Sequence, residues 1–156
     1  MAEDPMEVQA VGQLDLERYL GSWYEIARFP NRFEKKCACD VMARYSATGK
    51  PGRIMVRNEC RQADGRMAVA KGYGRVDGPG ARLRVSFFRP FWAKYWVLAL
   101  DPEYRWSLVG EPKREYLWIL SRTPVLSAEV LAEIRARAAE LGFDVAKLVL
   151  TPQGLR

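Results

Sequence analysis

The chain has 156 residues, 49% of them hydrophobic and 28% charged, a length and balance that fit one domain with a sizeable core rather than a disordered chain. It contains no histidine, which excludes Ser-His-Asp and Cys-His catalysis, His-ligated zinc and His-ligated haem. Lys and Arg total 25 against 19 Asp and Glu, a net charge of +6 that favours anionic partners without choosing one.

Taken in chain order, the first twenty residues are acidic through Glu3, Asp4, Glu7, Asp15 and Glu17. Residues 1–13 are expected as a flexible tail, 14–152 as the folded domain and 153–156 as a second tail. The opening MAEDPMEVQAVGQ has no basic stretch followed by an apolar one, and no apolar run approaches the ~20 residues of a membrane helix. A soluble chain is expected, with no address in its residues.

From Gly21 to Arg122, eight apolar-alternating runs are predicted as strands: 22–29, 39–47, 53–60, 67–76, 81–88, 93–101, 104–110 and 115–122. The segments between them, TGKPG, QADG, DGPG, RPFW, DP and GEPKR, nearly all carry Gly or Pro and mark turns. Connections this short make neighbours in sequence antiparallel neighbours in space. Leu83, Val85 and Phe87 alternate with Arg82, Arg84 and Ser86, giving one dry and one wet face. The sixth and eighth runs are apolar on both faces, so something must cover their outer side. Ser127 as N-cap, a stripe of Val130, Leu131, Ile134, Ala138 and Leu141, and Gly142 as C-cap predict a covering helix at 127–141. KLVLTP, 147–152, reads as a short ninth strand. The fold class is all-β: an eight-stranded antiparallel up-and-down barrel, wide enough for one small ligand, with a helix outside.

Three cysteines allow one internal disulfide. If TGKPG closes a hairpin whose paired positions sum to 99, Tyr45 faces Ile54, Ala43 faces Val56 and Cys39 faces Cys60. Cys39–Cys60 is the expected pairing in an oxidising compartment, with Cys37–Cys60 the alternative and three thiols the state in a reducing one. With no His beside the cysteines, neither a metal nor another cofactor is expected.

GSWYEIARF (21–29), after LDLERYL (14–20), resembles the opening signature of the lipocalin family, with Gly21 and Trp23 in its Gly-x-Trp. LALDPEYRWSLVG (98–110) resembles the second signature, with Asp101 and Tyr104 flanking a tight turn. WILSRTP (118–124) resembles the third, with Arg122 at a strand end. The match spans about residues 14–152 and is nearest to bacterial lipocalins and their apolipoprotein D-like relatives; the family's usual Thr before the Asp is Leu100 here. The signatures have a structural reading: Trp23 closes the narrow end of the barrel, and Arg122 stacks on the indole while donating to nearby carbonyls. Bacterial members are often exported lipoproteins held at the outer membrane, but no acylatable N-terminal Cys stands in this sequence, so the compartment stays open between cell envelope and cytoplasm.

If Trp23 marks the closed end, alternation places Val41, Ala43, Tyr45, Ile54, Val56, Leu83, Val85, Phe87, Tyr95, Val97, Trp106, Leu108, Tyr116 and Trp118 on the inner wall. Such a lining suits an elongated apolar ligand; a completely filled barrel is the alternative. The loops of residues 30–38, QADG, RPFW and GEPKR share the open mouth, which collects Arg32, Lys35, Lys36, Arg89, Lys113 and Arg114 with Phe33, Phe91 and Trp92 among them. Basic groups around an apolar well match a fatty acid or lysophospholipid with its head at the rim, also what the resemblance implies. Phe91 and Trp92 offer a membrane contact or a weak dimer contact on an otherwise monomeric protein. Nucleic acid is not expected, because Arg82 and Arg84 face away from Val85 and Phe87. An enzyme is not expected either, though a lipocalin-type enzyme acting on a lipid, or a filled barrel serving as a membrane- or partner-interaction module, is the alternative to a carrier; Glu25, the acid of the first strand able to face inward, is expected to pair with an Arg in the wall.

Overall fold

A computed structural model describes residues 7–88 and 90–154 of the chain. Nine strands follow one another: β1 (Gly21–Arg28), β2 (Cys37–Ala47), β3 (Arg53–Gln62), β4 (Met67–Val76), β5 (Arg82–Phe88), β6 (Phe91–Leu100), β7 (Trp106–Gly110), β8 (Leu117–Ser121) and β9 (Val149–Leu150). Helix α1 (Leu16–Tyr19) precedes β1, and helix α2 (Ala128–Glu140) lies between β8 and β9. Every sequential pair from β1 to β8 is antiparallel, and β8 returns to pair with β1, so eight strands close on themselves.

The closure is made in two parts. On one edge β1 pairs with β8; on the other, Gly21–Tyr24 pair with β2 and, further up, Ala27 and Arg28 pair with β9. Where β1 and β2 diverge, the chain's last described residues fill the gap. Thr151 N–H donates to the Ile26 carbonyl and Asp40 N–H to that of Pro152 (both 2.9 Å). The Gln153 amide reaches the carbonyls of Glu25 and Val41 (both 2.8 Å), and Gly154 N–H donates to Asp40 Oδ1 (2.8 Å). Residues 153 and 154 are therefore a strap rather than a tail. The N-terminal segment is docked as well: Val8 is buried, Val11 N–H donates to the Val97 carbonyl (2.8 Å), and Ala81 N–H donates to that of Val11 (3.0 Å). Gly80 is required there, because a Cβ at that position would lie 2.4 Å from the Val11 oxygen.

Two apolar clusters result. One, inside the barrel, joins Tyr19, Trp23, Tyr45, Ile54, Val56, Leu83, Val97, Val109 and Leu120. The other lies between the outer faces of β1 and β6–β8 and α2, where Trp106, Leu108, Ile119, Ile134, Ala138 and Phe143 meet. Ser127 caps α2 through its hydroxyl, which accepts from Val130 N–H (3.2 Å), and Gly142 ends the helix at φ +86.

The hairpin between β2 and β3 departs from the expected register. Tyr45 pairs with Val56 and Ala47 with Ile54, a sum of 101 in place of 99, and the register slips twice between Cys37 and Met42 around Asp40, whose φ is +53. A residue in the left-handed region breaks the two-residue alternation. Cys37 thereby reaches Cys60 and forms the disulfide (Cα–Cα 5.5 Å), while Cys39 is buried outside it. The expected Cys39–Cys60 pairing is corrected accordingly.

Candidate ligand-binding site

The narrow end is plugged as the signatures implied. The Arg122 guanidinium lies 3.7 Å from the centre of the Trp23 ring and donates to the carbonyls of Tyr104 (3.1 Å), Ser22 (3.1 Å) and Arg18 (2.7 Å). Gly21, at φ +103, leaves room for it: a Cβ there would sit 3.3 Å from an Arg122 nitrogen. Trp23 Nε1 donates to the Tyr19 carbonyl (2.8 Å), so α1 forms the floor. Asp101 organises the β6–β7 turn by accepting from the amides of Glu103 (3.3 Å) and Arg105 (3.0 Å). The Arg105 side chain holds its carboxyl below the usual range. Tyr104, at φ +59 beside it, uses its hydroxyl to accept from Asp15 N–H (2.9 Å).

Above the plug, the pairing register fixes which side chains point inward, because residues directly opposite one another share a face. Starting from Trp23, the ladder runs to Ala43 and Asn58, then Ala70; from Tyr45 it runs to Val56 and Gly72. Gly74 leads to Val85 and Ala93, Leu83 to Tyr95, and Val97 through Val109 to Trp118. Ala43, Tyr45, Ile54, Val56, Leu83, Val85, Phe87, Tyr95, Val97 and Trp118 thus stand in the interior cluster, as expected. Val41 and Tyr116 belong to neither cluster; Tyr116 stacks on Trp118 at 5.8 Å.

Trp106 and Leu108 are on the opposite face, under α2, and Ser107 and Val109 point inward in their place. Every residue of β7 is buried, one face by the barrel interior and the other by α2, so hydrophobicity does not distinguish its faces. The register shift between Val97 and Ala99 also breaks the alternation of neighbouring β6.

Burial along the inner wall falls from floor to mouth. Trp23, Tyr45, Ile54, Val56, Leu83, Val97, Val109 and Leu120 are buried, whereas Ala43, Asn58, Val85, Phe87, Tyr95 and Trp118 are half-buried and Ala70 and Ala93 exposed, although all face inward. The upper barrel is therefore a well open to solvent. Small residues keep it wide: Ala43, Ala70 and Ala93 line it. Gly72 allows β4 and β5 to approach, since a Cβ there would lie 2.2 Å from the Ser86 oxygen.

At the mouth, charge is arranged differently from the sequence expectation. Glu25 faces inward and its Oε2 accepts from Thr151 Oγ1 (2.5 Å) and Arg28 (3.4 Å), which is the expected arginine pairing. Glu34, in the 3-10 turn Arg32–Glu34, accepts from Trp118 Nε1 and from the Asn31 amide (both 3.0 Å), and Arg28 Nε lies 3.6 Å from it. Burial first, and the neighbouring Glu34 second, raise the Glu25 carboxyl well above the usual carboxylate range. Of this inner collar the sequence placed Glu25 and an arginine partner; that the partner is Arg28 was missed because it reaches the inner face only past the irregularity between Glu25 and Ala27, and Glu34 was missed altogether.

Arg32, Lys35, Lys36 and Lys113 are exposed at the mouth. Arg114, counted with them from sequence, donates its Nε to the Leu141 carbonyl (2.7 Å) and so caps the end of α2. Glu111 shapes the same loop, accepting from the amides of Lys113 (2.8 Å) and Glu115 (2.6 Å). Arg89 and the side chain of Phe33 lie outside the described residues. Phe91 is 76% exposed, whereas Trp92 is on the outer face under Arg75, 4.6 Å from its ring centre. Arg82 and Arg84 are on that outer face too, with Arg82 covering Trp96 at 4.5 Å.

A plugged eight-stranded barrel with an apolar well and an outer helix defines a class of binding protein, and sequence comparison agrees with it. The family model described as "Lipocalin-like domain" matches residues 14–153. The chain is 44% identical to outer membrane lipoprotein Blc of Escherichia coli K12 over 151 residues, covering 96% of this chain and 85% of the relative. It is 40% identical to temperature-induced lipocalin-1 of Arabidopsis thaliana, covering 94% and 83%, and 36% identical to mouse apolipoprotein D, covering 89% and 77%. Insecticyanin from the tobacco hornworm Manduca sexta has the same fold, with a TM-score of 0.77 at 22% identity over 97% of this chain and 87% of that one. The chain belongs to the lipocalin family, and its relatives include the bacterial Blc lipoproteins and apolipoprotein D.

Proposed function

We propose that this lipocalin is a non-catalytic carrier of a small amphiphile, a fatty acid or lysophospholipid, held with its tail in the well and its anionic head at the mouth. The observation that supports it most is the burial gradient of the inner wall: an apolar lining of Val85, Phe87, Tyr95 and Trp118 opens to solvent only at one end. Lys35 and Lys36 on the loop over the opening give an anionic head its counter-charges. Exposed Phe91 beside the opening suits contact with the bilayer from which such a ligand would come.

Native mass spectrometry of the purified protein, followed by extraction of what it carries, tests this reading directly. An adduct of lipid mass is expected, and titration with a fatty acid is expected to quench Trp118. Replacing Lys35 and Lys36 by Glu is expected to weaken fatty acids about tenfold and to spare the matching fatty alcohols. A bare protein that binds neither, or equal losses for acid and alcohol, would contradict the carrier and the head-group assignment respectively.

A further inference from the structure

The floor of the well ends in hydroxyl groups. Tyr45 Oη lies 2.8 Å from Tyr95 Oη, Tyr95 Oη 2.8 Å from Tyr19 Oη, and Tyr19 Oη 2.9 Å from Ser107 Oγ. The four form an unbranched chain that crosses the barrel from β2 to β7. Each hydroxyl has one hydrogen to give, and three bonds use three of the four. One hydrogen is always left over, whichever way the chain is polarised.

Its position follows from burial. Tyr19 and Ser107 are 1% and 0% exposed and make no side-chain hydrogen bonds beyond this chain among the described residues. A donor left unsatisfied there would cost about 1–3 kcal/mol. Burial pushes Tyr19 up to about 12 and raises Tyr45 and Tyr95 also, so all three phenols keep their protons. Ser107 therefore donates to Tyr19 and Tyr19 to Tyr95. The surplus hydrogen then belongs to Tyr95, which is half-buried at the foot of the well, or to Tyr45, buried beside it at 5% exposure, with Ala93 and Ala43 the next inward residues above them.

We propose that Tyr45 and Tyr95 form a polar subsite at the floor of the well that donates one hydrogen bond to the far end of the ligand. The ligand class is then an amphiphile with two polar ends: an anionic head at the mouth and, near the terminus of its chain, an oxygen that carries no hydrogen of its own, such as a ketone or ester carbonyl. The subsite rests on the carrier reading above and sharpens it. A plain hydrocarbon tail reaching this floor would leave the donor without a partner.

The test is competitive displacement of a fluorescent fatty acid by a homologous series of saturated acids and by their (ω−1)-oxo counterparts, whose carbonyl accepts without adding a hydrogen. In the chain length that spans the well, the oxo acid is expected to bind about fivefold or more tighter than the plain acid. Tyr45→Phe alone shortens the chain to three hydroxyls and two bonds, which again leaves one hydrogen over, so the preference is expected to persist. The double variant Tyr45→Phe/Tyr95→Phe leaves Tyr19 and Ser107 with one bond and one hydrogen over, now on Tyr19 one link deeper; it is expected still to bind plain acids, which reports that it folds, and to lose the preference at the wild-type chain length. No preference at any length in the wild type, or an undiminished preference at the same length in the double variant, overturns the subsite. Failure of wild-type protein to bind either series overturns the carrier reading and the subsite with it.

Discussion

Glu25 holds its proton to higher pH in the folded protein than in the unfolded chain. Its carboxyl is buried among Thr151, Arg28 and Glu34, and burial followed by the charge of Glu34 raises it well above its ordinary 4.5. Between that value and the raised folded-state value the folded state binds more protons than the unfolded one, and the linkage relation makes stability fall as pH rises through that window. Melting temperature followed from about pH 5 to about pH 8 is expected to decline in the wild type, and Glu25→Gln is expected to flatten that decline. A slope unchanged by the substitution would place the proton elsewhere. From sequence, the inward parity of Glu25 and an arginine partner were legible, because Glu25 lies two residues from Trp23. Glu34 was not, since it comes from a loop and no periodicity aims a loop side chain.

At the scale of elements, alternation worked where one face is wet and failed at β7, where both are dry. β5, with arginines outside and Leu83, Val85 and Phe87 inside, was assigned correctly; β7, buried on both faces, was not. The β2–β3 hairpin failed for another reason: a residue at positive φ within a strand shifts every pairing beyond it, and nothing in the composition around Asp40 announces it. The disulfide that results, Cys37–Cys60, ties the mouth end of β2 to β3 across 23 residues. A loop of that size is worth about 3 kcal/mol through the unfolded state. Reductant is expected to lower the unfolding free energy by that amount, read from denaturant titration, in wild type and in Cys39→Ser, and to change nothing in Cys37→Ser. Sensitivity lost in Cys39→Ser instead would restore the pairing through Cys39.

For the whole molecule, eight strands, their order and the covering helix were all legible, because short turns force sequential antiparallel pairing and only closure leaves no open edge. The plug was legible through the signatures, and it locks together elements far apart in sequence: Arg122 links the first turn of the fold, the β6–β7 turn and the end of β8. Arg122→Ala removes three charge-assisted hydrogen bonds and a cation–π contact, an expected loss of about 2–4 kcal/mol. Because the plug lies below the floor, ligand affinity measured by titration is expected to stay within about twofold. A large loss of affinity without a fall in melting temperature would mean that Arg122 touches the ligand.

The strap that fills the gap between β1 and β2 has a consequence for the order of events during synthesis. β1 precedes all of its partners in the sequence: one of its edges waits for β8 and the other, above Tyr24, for residues 149–154. Until those residues have been made, those backbone groups have no partner, and the seam beside the mouth stays unsealed. A growing chain thus exposes a strand edge while the intervening segments are translated, a period when a chaperone or a second nascent copy can reach it. Residues 149–154 act as the bolt of the barrel, and the container closes only once they are in place.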